Sequence, residues 1–581
     1  MHKNEPIANY FLYKLSKLII GRFIYFEGLI DSMHFKVKNI KGHKYLYIIK
    51  NDRIDGKIVQ TIQKYVGTAD SLYEMLTSNK STRIASYSLG KPAAFIKAAE
   101  EVGLIESINK HFNRKKIDGL TAAQYLLLII IGRSEHELSR NVLGDYFDNS
   151  VLKFIWNPKY KLSSQNFLNY MARLDEETIQ SIELDISRTM IELGLRPTRL
   201  IFDTTNFYTH IEHGEELPRK GNSKEKRFDK NLIGVGLTTS EHNIPFQSIT
   251  YPANKNDAKL FSDLIDSICK RLKDIDIQTQ DIVIVFDRGM NSAENIKKAT
   301  ERMHIVGSLP SSMCKEFFKI PVSEFSEKWE NASGHTIMAY PVAGKWYEKN
   351  FNGVVRYNEA TRQKQLNDWD LNKTKIFIGM DEIKSKLERS GKGRKITSKG
   401  LINRIGDAIP KQYRGLFEYK IVEVDGKPKL EFELDQVRET EHISAMGKTV
   451  IFTDQTELTL RQIVEIYDAR NQIETDIACL KEKLLIPLKP VYVRKDTQIR
   501  AHVFLCVIGL LLYNYLLYVN GDSSLSIKKL AQHLDQMRLG LVQNNESNEK
   551  GQKKANFVIE DMNKSTAEVF SRLQLGKYIP A

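Results

Sequence analysis

A phenol, a guanidinium, a carboxylate and an ammonium follow one another at short spacing, as Tyr467, Arg470, Glu474 and Lys481. Because a helix turns by about 100° per residue, the four side chains would fall within roughly 60° of one another on one face. A carboxylate can bind a divalent metal ion, and Arg and Lys beside it can bind phosphate. The face therefore suits a metal ion next to a nucleic-acid backbone. A solvated, salt-bridged helix surface is the competing interpretation.

Two aspartates, Asp203 and Asp287, each end a strongly apolar run that predicts a buried strand. Carboxylates at strand ends are favoured for ligands and catalysis in α/β sheets. With Glu474 they would make three carboxylates, which repel one another unless cations are bound. Oxygen ligands suit Mg²⁺ or Mn²⁺, and two such ions about 3.5–4 Å apart can activate water or a 3′-hydroxyl. For either aspartate alone, a turn or cap residue is the alternative.

The elements that must position these carboxylates are predicted as three strands, a helix, a strand, a helix and a strand. This order indicates an α/β sheet of mixed strand direction. In chain order the predicted elements are Arg199–Asp203, 231–239, 246–251, Asp257–Leu272, Ile282–Asp287, Ser292–Arg302 and His304–Leu309.

Patterning divides the 581 residues into six predicted regions. They are an N-terminal extension with a small β-hairpin module (1–68), a helical DNA-binding or dimerisation region (69–195), a first core part (196–310), a β-rich insertion (311–450), a second core part (451–520) and a C-terminal helical tail (521–581). For the second region a plain helical bundle is equally compatible. Short β-like runs such as 375–379 support the insertion, and 543–554 is predicted to be disordered.

Composition narrows the class of protein. Lys and Arg number 86 against 72 Asp and Glu, a formal charge of +14, which favours a polyanionic partner such as nucleic acid. The four cysteines are far apart and form no CxxC pair, so neither a zinc site nor a disulfide framework is indicated, and a reducing cytoplasm fits. The apolar run Val503–Val519 is slightly short for a membrane span, so we expect a buried core helix and no membrane.

The signature Tyr-x2-Arg-x3-Glu-x6-Lys is complete at Tyr467, Arg470, Glu474 and Lys481. Together with Phe202-Asp-Thr-Thr and Val285-Phe-Asp-Arg-Gly-Met, it makes the chain resemble insertion-sequence transposases with a ribonuclease-H-like DDE core. Within that family, the resemblance is to the branch that this four-residue signature defines.

The resemblance covers about residues 33–520. The basic turn 221–229 and the Arg500-Ala-His502 stretch also look like the family's pattern. A β-rich domain inserted before the glutamate helix is typical of this branch and accounts for the long gap between Asp287 and Glu474. The resemblance implies a ribonuclease-H-like mixed-sheet core interrupted by that insertion and preceded by a helical N-terminal region.

The family pattern also implies roles for the residues that match it. Asp203, Asp287 and Glu474 would be catalytic and hold two Mg²⁺ or Mn²⁺ ions, while Tyr467, Arg470 and Lys481 would bind DNA phosphates. The implied partners are double-stranded DNA, as element ends and target, and a second copy of the chain on paired ends. The expected location is the bacterial cytoplasm or nucleoid.

Basic stretches and one tryptophan supply further candidates for contact with DNA. Residues 219–230 hold six basic side chains against two acidic ones, and residues 384–404 hold eight against one. Either stretch could neutralise phosphates or be a solvated loop. The individual candidates are Arg219, Lys220, Lys224, Lys226, Arg227, Arg288, Lys392, Arg394, Lys395 and Trp346, the last by stacking on an unpaired base.

The function predicted from these features is a transposase that binds the terminal inverted repeats of an insertion sequence, cuts there and joins the ends to target DNA. A metal-dependent nuclease without strand transfer would share every catalytic residue. A non-catalytic DNA-binding regulator is the third possibility, but it would be expected to have a damaged carboxylate set, and none of the three carboxylates is lost here.

Overall fold

The computed structural model describes residues 33–40, 43–54, 57–68, 83–112, 116–135, 138–255, 257–331, 333–388, 398–424, 427–547 and 553–580. The Asp55-Gly56 pair, a typical turn sequence, lies outside these residues, as do the candidate cations Lys392, Arg394 and Lys395.

The strands and helices of the described residues alternate along the chain. The strands are β1 Met33–Ile40, β2 His43–Ile54, β3 Lys57–Thr68, β4 Arg83–Ser88, β5 Arg199–Thr209, β6 Asn231–Ser240, β7 Pro245–Pro252, β8 Val283–Phe286, β9 His304–Ser308, β10 Glu327–Glu330, β11 Thr336–Trp346, β12 Lys349–Asn358, β13 Phe417–Val424, β14 Lys427–Leu434, β15 Lys448–Thr453, β16 Arg538–Ser547 and β17 Lys553–Ile559. The helices are α1 Gly90–Glu101, α2 Leu104–His111, α3 Ala122–Ser134, α4 Leu143–Asp148, α5 Leu152–Trp156, α6 Ser164–Ala172, α7 Glu176–Glu192, α8 Asp257–Asp274, α9 Ala293–Thr300, α10 Lys315–Phe318, α11 Glu359–Glu388, α12 Ser398–Ala408, α13 Gln436–Ala445, α14 Leu460–Asp468, α15 Arg470–Cys479, α16 Asp496–Asn520, α17 Ile527–Gln536 and α18 Lys564–Arg572.

The chain divides into two compact units, one of Met1–Ser86 with Gly540–Val558 and one of Tyr87–Leu539 with Ile559–Ala581. In the first unit β1, β2 and β3 form an antiparallel sheet, in which β1 pairs with β2 and β2 with β3. The three strands correspond to the small β-hairpin module that the sequence predicts within residues 1–68. A second three-stranded sheet, in the order β17-β16-β4, lies largely in this unit.

The helical region predicted before residue 195 is present as α1 to α7. Local hydrogen bonds determine where two of these helices begin. At the start of α6, the Ser163 side chain accepts a hydrogen bond from Gln165 N at 3.3 Å. Asp175 begins α7 by accepting from Thr178 N at 2.8 Å. Both residues are N-caps, because their oxygens satisfy amide groups that have no partner within the first helical turn.

The second unit contains a nine-stranded mixed sheet in the order β10-β11-β12-β15-β9-β8-β5-β6-β7. Strand β8 pairs in parallel with β5 on one side and with β9 on the other. All other pairings of the sheet are antiparallel. Helices α8 and α9 are amphipathic and bury apolar side chains against β5, β8 and β9, which fixes the parallel part of the sheet. The predicted order from residue 199 to residue 309 is confirmed.

The parallel pairing brings the two aspartates side by side. Phe202 of β5 pairs with Phe286 of β8, so Asp203 and Asp287 follow at the same level of adjacent strands. The sequence predicts that Asp203 ends its strand, and this is wrong, because β5 continues to Thr209 with β6 as its partner. Asp203 lies instead where the shorter strand β8 ends, which opens that side of β5.

The segment 311–450, predicted as a β-rich insertion domain, is of mixed structure. Strands β10, β11 and β12 extend the nine-stranded sheet, and the 30-residue helix α11 follows them. The β-like run 375–379 lies inside α11. Ile376 of this run belongs to a helical stripe in which Trp369, Ile376 and Met380 are buried at spacings of two turns and one turn, whereas Ile378 is exposed.

Around that stripe, α11, α12, α13 and the β13–β14 hairpin enclose a core of their own. The indole of Trp369 donates to the Glu439 carboxylate at 3.0 Å, and Lys373 pairs with the same carboxylate at 2.7 Å. In the sequence, this cluster stands between β12 and β15, which are neighbours in the sheet. The chain therefore leaves the sheet after β12 and returns to it beside the same strand.

Helix α16 closes the core and contains the apolar run noted in the sequence. It is long and apolar enough to cross a membrane, but 83% of its apolar window is buried inside the protein, as expected for a core helix. Gly509 allows close contact, because a Cβ there would lie 2.6 Å from the Ile486 side chain. Phe95 of α1 packs edge-to-face on Tyr513 with ring centroids 4.9 Å apart.

The C-terminal segment is not the helical tail that the sequence predicts. It forms α17, the strands β16 and β17 and then α18. Of the stretch predicted to be disordered, 543–547 and 553–554 are extended chain, and 548–552 lie outside the described residues. Leu539 and Leu541 are buried, which favours a strand although the sequence around them is polar. Helix α17 packs on α1, where Lys91 pairs with Asp535 at 2.6 Å.

A buried ion pair ties α7 to α8 and yields a stability prediction. Arg271 Nη2 lies 2.7 Å from Glu183 Oε2, and both side chains are less than a tenth exposed. Arg271→Ala is expected to lower the free energy of unfolding by about 3–5 kcal/mol, because Glu183 would remain buried and unpaired. Urea unfolding checks this, with the exposed neighbour Lys270→Ala as the control. A loss below 1 kcal/mol in Arg271→Ala would contradict it.

Candidate active site

The Tyr467–Lys481 stretch is predicted as one helix, but the chain forms two, α14 and α15, which meet at Ala469. Helix α15 ends at Cys479, so Lys481 lies in the turn that follows. Tyr467, Arg470 and Glu474 line one cleft of about 390 Å³, whereas Lys481 lines another. The prediction of a single face is therefore wrong for Lys481, because the chain turns before reaching it.

Arg470 joins the carboxylates in the first cleft, which we call the carboxylate cleft. Its Nη1 lies 2.9 Å from Asp287 Oδ1, and its Nη2 lies 3.3 Å from Glu474 Oε1. Burial alone would lower the pKa of this guanidinium, but Tyr467, Asp287 and Glu474 raise it above its ordinary value. One cation thus holds two carboxylates from distant parts of the sequence at the same place.

Tyr467 orients this guanidinium from the other side. The Arg470 Cζ lies 5.2 Å from the centroid of the Tyr467 ring, within the range of a cation–π contact. The phenol is buried and donates to Ser308 Oγ at 2.8 Å, where β9 ends. This hydrogen bond fixes α14 to the end of the parallel strands.

Asp203 lies beside the carboxylate cleft, next to Asp287 in the sheet. Its Oδ1 accepts from Thr204 N at 2.7 Å. Burial raises the pKa of the Asp203 carboxyl, and Lys224 and Arg470 oppose that rise. A negative charge at Asp203 is therefore costly unless cations lie close to it.

The predicted DNA-binding cations of the 219–230 turn differ in their surroundings. Arg219 donates to the carbonyl of Glu215 at 2.7 Å, and Lys220 to that of Asp229 at 2.5 Å, so both brace the turn. Arg227 pairs with Asp229 at 3.0 Å. Lys224 reaches the carbonyl of Thr204 and so lies beside Asp203.

Two further predicted cations are exposed. Lys226 lies in the same turn with a positive φ of 58°, and Arg288 lines the carboxylate cleft directly after Asp287. The structure therefore brings Lys224 and Arg288 to the carboxylates, whereas Arg219, Lys220 and Arg227 contact groups in or next to their own turn and, for Arg227, the Tyr208 ring.

Trp346 does not agree with its predicted role in stacking on a base. Its side chain is only 6% exposed, and its ring packs against Phe317 and Phe452 at centroid distances of 5.9 and 6.2 Å. It lies at the end of β11, where alternate side chains face the core, so its basic neighbour Lys345 gave a misleading signal.

The structure adds cleft residues that the sequence did not single out. Arg356 of β12 forms an ion pair with Asp468, and both line the carboxylate cleft. Lys448 also lines it and donates to the carbonyls of Phe318 and Ile320 at 2.6 and 2.7 Å. The sequence around Arg356 does not indicate a site residue, because Arg356 reaches the cleft only through the pairing of β12 with β15.

The residues present fit a divalent metal ion by their chemistry. The candidate donors are carboxylate oxygens only, the set that Mg²⁺ and Mn²⁺ prefer. Asp287 and Glu474 already share one cation, the Arg470 guanidinium. Within the described residues no three His, Cys, Asp or Glu side chains are close enough to form a metal site as they stand. A metal ion would therefore replace contacts that Arg470 makes in this arrangement.

A mixed sheet with adjacent aspartates at its parallel strands, and a helix that brings a glutamate to them, defines a class of nucleotidyl-transferring enzyme core. Residues 194–514, more than half of the chain, match the family described as the transposase DDE domain, and the chain belongs to this family. No curated protein matches it. Membership makes it an enzyme of transposition with DNA as the substrate, in a family that generally uses divalent metal ions.

Proposed function

We propose that this chain is the transposase of an insertion sequence, of the branch with the Tyr-Arg-Glu-Lys signature. It binds the terminal inverted repeats of its element, cuts the DNA there and joins the freed 3′ ends to a target. Two ends must be held together, so the active complex on DNA contains two copies of the chain. Its place of action is the bacterial cytoplasm, at the nucleoid.

Asp203, Asp287 and Glu474 would hold two Mg²⁺ or Mn²⁺ ions. When bound, these ions supply Lewis-acid activation of the attacking oxygen and stabilisation of the leaving oxygen. In cleavage, water oxygen bonds to phosphorus and the bond to the 3′ oxygen breaks. In strand transfer, that 3′-hydroxyl attacks a target phosphodiester and releases one target 3′-hydroxyl. Arg470 and Arg288 hold the phosphate against these carboxylates, and Tyr467 keeps Arg470 in position.

The observation that carries the proposal is the Arg470 bridge between Asp287 and Glu474, which are far apart in sequence. Asp203 follows on the strand next to Asp287, so a third, partly buried carboxyl lies beside the bridge, which isolated ion pairs of an ordinary protein surface do not provide. The bridge also favours a catalytic protein over a DNA-binding regulator, for which three neighbouring carboxylates would serve no purpose. It does not distinguish a transposase from a nuclease.

The test is a strand-transfer assay with the full-length protein. A labelled duplex that carries one inverted repeat, with Mg²⁺ and a supercoiled plasmid, is expected to give both a nicked end and a covalent joint product. A pre-cut end with a free 3′-hydroxyl should join without cleavage. Cleavage without any joint product from the pre-cut end would favour the nuclease, and an absence of both would contradict the proposal.

A further inference from the structure

Lys481 lines a second cleft, of about 820 Å³, between residues 208–213 at the end of β5 and residues 481–494, which lead to α16. We call it the lysine groove. Four cations line it, Lys481, Lys483, Lys489 and Arg494, against the single carboxylate of Glu212. Such an excess of one charge in a concave surface attracts ligands of the opposite charge.

Most of these cations lack an acidic partner. Lys489 pairs with Glu225 at 2.9 Å, whereas Lys481, Lys483 and Arg494 make no ion pair within the part of the chain that is described. Burial lowers the pKa of the Lys481 ammonium; Glu225 opposes this, and Lys224 and Lys489 lower it further. A bound anion would relieve the repulsion among these ammonium groups.

Hydrogen bonds to backbone carbonyls fix the segment 488–492, which lines the lysine groove. Arg133 donates to the carbonyl of Lys489 at 2.8 Å, and Arg140 to that of Tyr492 at 2.7 Å. The ring of His502 donates to the carbonyl of Leu488 at 2.8 Å. Since only carbonyl oxygens are used, these contacts leave the Tyr492 side chain available to a ligand and the Lys489 side chain in its pair with Glu225, and little ordering is needed on binding.

Aromatic rings accompany the cations. Lys489 Nζ lies 4.1 Å and Arg227 Cζ 4.7 Å from the centroid of the Tyr208 ring. The Tyr492 side chain on the opposite segment is half exposed. Cations that follow a backbone, with aromatic rings on which bases stack, are typical of grooves that bind single-stranded nucleic acid. A duplex keeps its bases stacked inside and would not use these rings.

The lysine groove reaches the candidate active site through two ammonium groups. Lys481 belongs to the groove and interacts electrostatically with Asp203. Lys224 acts on the same carboxylate and reaches the carbonyl of Thr204 beside it. A strand whose phosphate lies at Asp203 can therefore continue past Lys224 and Lys481 into the groove.

We propose that the lysine groove binds one unpaired DNA strand, its phosphates on Lys481, Lys483, Lys489 and Arg494 and a base against Tyr492. The inference rests on the proposed function, because it assumes that DNA lies at the carboxylates. The strand is the one that separates from its complement at the cut end.

The test compares full-length wild type with Lys483→Ala/Arg494→Ala, two exposed positions, and with the matched control Lys270→Ala/Lys273→Ala on α8, far from the groove in sequence. Fluorescence anisotropy measures binding of a labelled single-stranded oligonucleotide and of a blunt duplex over a salt series. The groove variant should bind the single strand about tenfold or more weakly. Its slope of log K against log salt should become shallower by about 1.4, or about 0.7 for each lost contact. Duplex binding and the control should stay unchanged.

Tyr492→Ala provides a second measurement that does not depend on charge. It should weaken single-strand binding by about tenfold at unchanged salt slope, since it removes a stacking contact. Wild-type single-strand affinity in both variants, or an equal loss on single strand and blunt duplex, would overturn the proposal. Asp287→Asn should bind the single strand like wild type. Failure of the transposase assignment would appear instead as missing cleavage and joining by the wild type.

Discussion

Asp203→Asn, Asp287→Asn and Glu474→Gln are each expected to abolish Mg²⁺-dependent cleavage of a labelled element end and to leave binding of that end intact. Each substitution removes the negative charge needed to hold a metal ion and keeps the size of the side chain. The effect should be equally large for all three, although they contribute very different amounts to folding.

The stability of these variants follows from their surroundings. Asp203→Asn should melt at the wild-type temperature or above it, because burial raises the pKa of Asp203 and so disfavours its charged form. Glu474 is half exposed, so Glu474→Gln should change the free energy of unfolding by less than about 0.5 kcal/mol. At 100 times its dissociation constant, Mg²⁺ should raise the free energy of unfolding of the wild type by about 2.7 kcal/mol, and its melting temperature with it, but should stabilise none of the variants.

Two exposed carboxylates nearby serve as matched controls. Asp281 lies before β8 and Glu482 lies after α15. Asp281→Asn and Glu482→Gln therefore each remove one negative charge from a position near a candidate metal ligand in the sequence. They should cut at the wild-type rate. Full-rate cleavage by any one of the three variants at Asp203, Asp287 or Glu474 would remove that residue from the proposed site.

Arg470→Ala is expected to reduce cleavage and strand transfer by about 10²-fold or more, the usual effect of losing a fixed donor to a developing negative charge. Without metal it should also be less stable than wild type, because Asp287 and Glu474 lose the cation that they share. Added Mg²⁺ should restore that stability but not the activity. Arg470→Lys should remain impaired, since one ammonium cannot replace a planar fork that contacts two groups.

The other members of the signature should respond differently. Tyr467→Phe should be milder, because it deletes one hydrogen bond, to Ser308, worth about 0.5–1.5 kcal/mol of stability. Lys481→Ala should hardly affect folding, since Lys481 makes no ion pair among the described residues, yet it should lower cleavage or strand transfer.

Arg461→Ala is the control that represents an ordinary helix surface. Arg461 pairs with Glu465 at 2.7 Å, one turn along the exposed side of α14, so its loss should cost below about 1 kcal/mol and no activity. The measurements are melting temperature and cleavage of a labelled end, side by side. Wild-type activity in both Arg470→Ala and Lys481→Ala would contradict their assignment as phosphate-binding residues.

Local patterns in the sequence determined the order of strands and helices around Asp203 and Asp287. The apolar runs of β5 and β8 and the amphipathic period of α8 are properties of short stretches, so each can be read without the rest of the chain. The spacing of the signature residues likewise selected Arg470 and Glu474. Both sets of prediction rest on interactions between neighbours in sequence.

Contacts between residues distant in sequence decided the structure of residues 375–379 and the burial of Trp346. The run 375–379 consists mainly of residues that favour a strand, but it lies in a helix because Trp369, Ile376 and Met380 share a core that residues 359–446 build together. Trp346 is buried because Phe452 packs on it from β15. In both cases burial against distant residues outweighed the local signal.

The candidate site itself shows the same division. The sequence determined which carboxylates, guanidinium and ammonium are available, because their types and spacing are local facts. Only the tertiary structure decided that Arg470 bridges Asp287 and Glu474 and that Arg356 enters their cleft. It also decided that Lys481 faces another groove, because the helix ends two residues before it and the chain there follows contacts with α3 and α16.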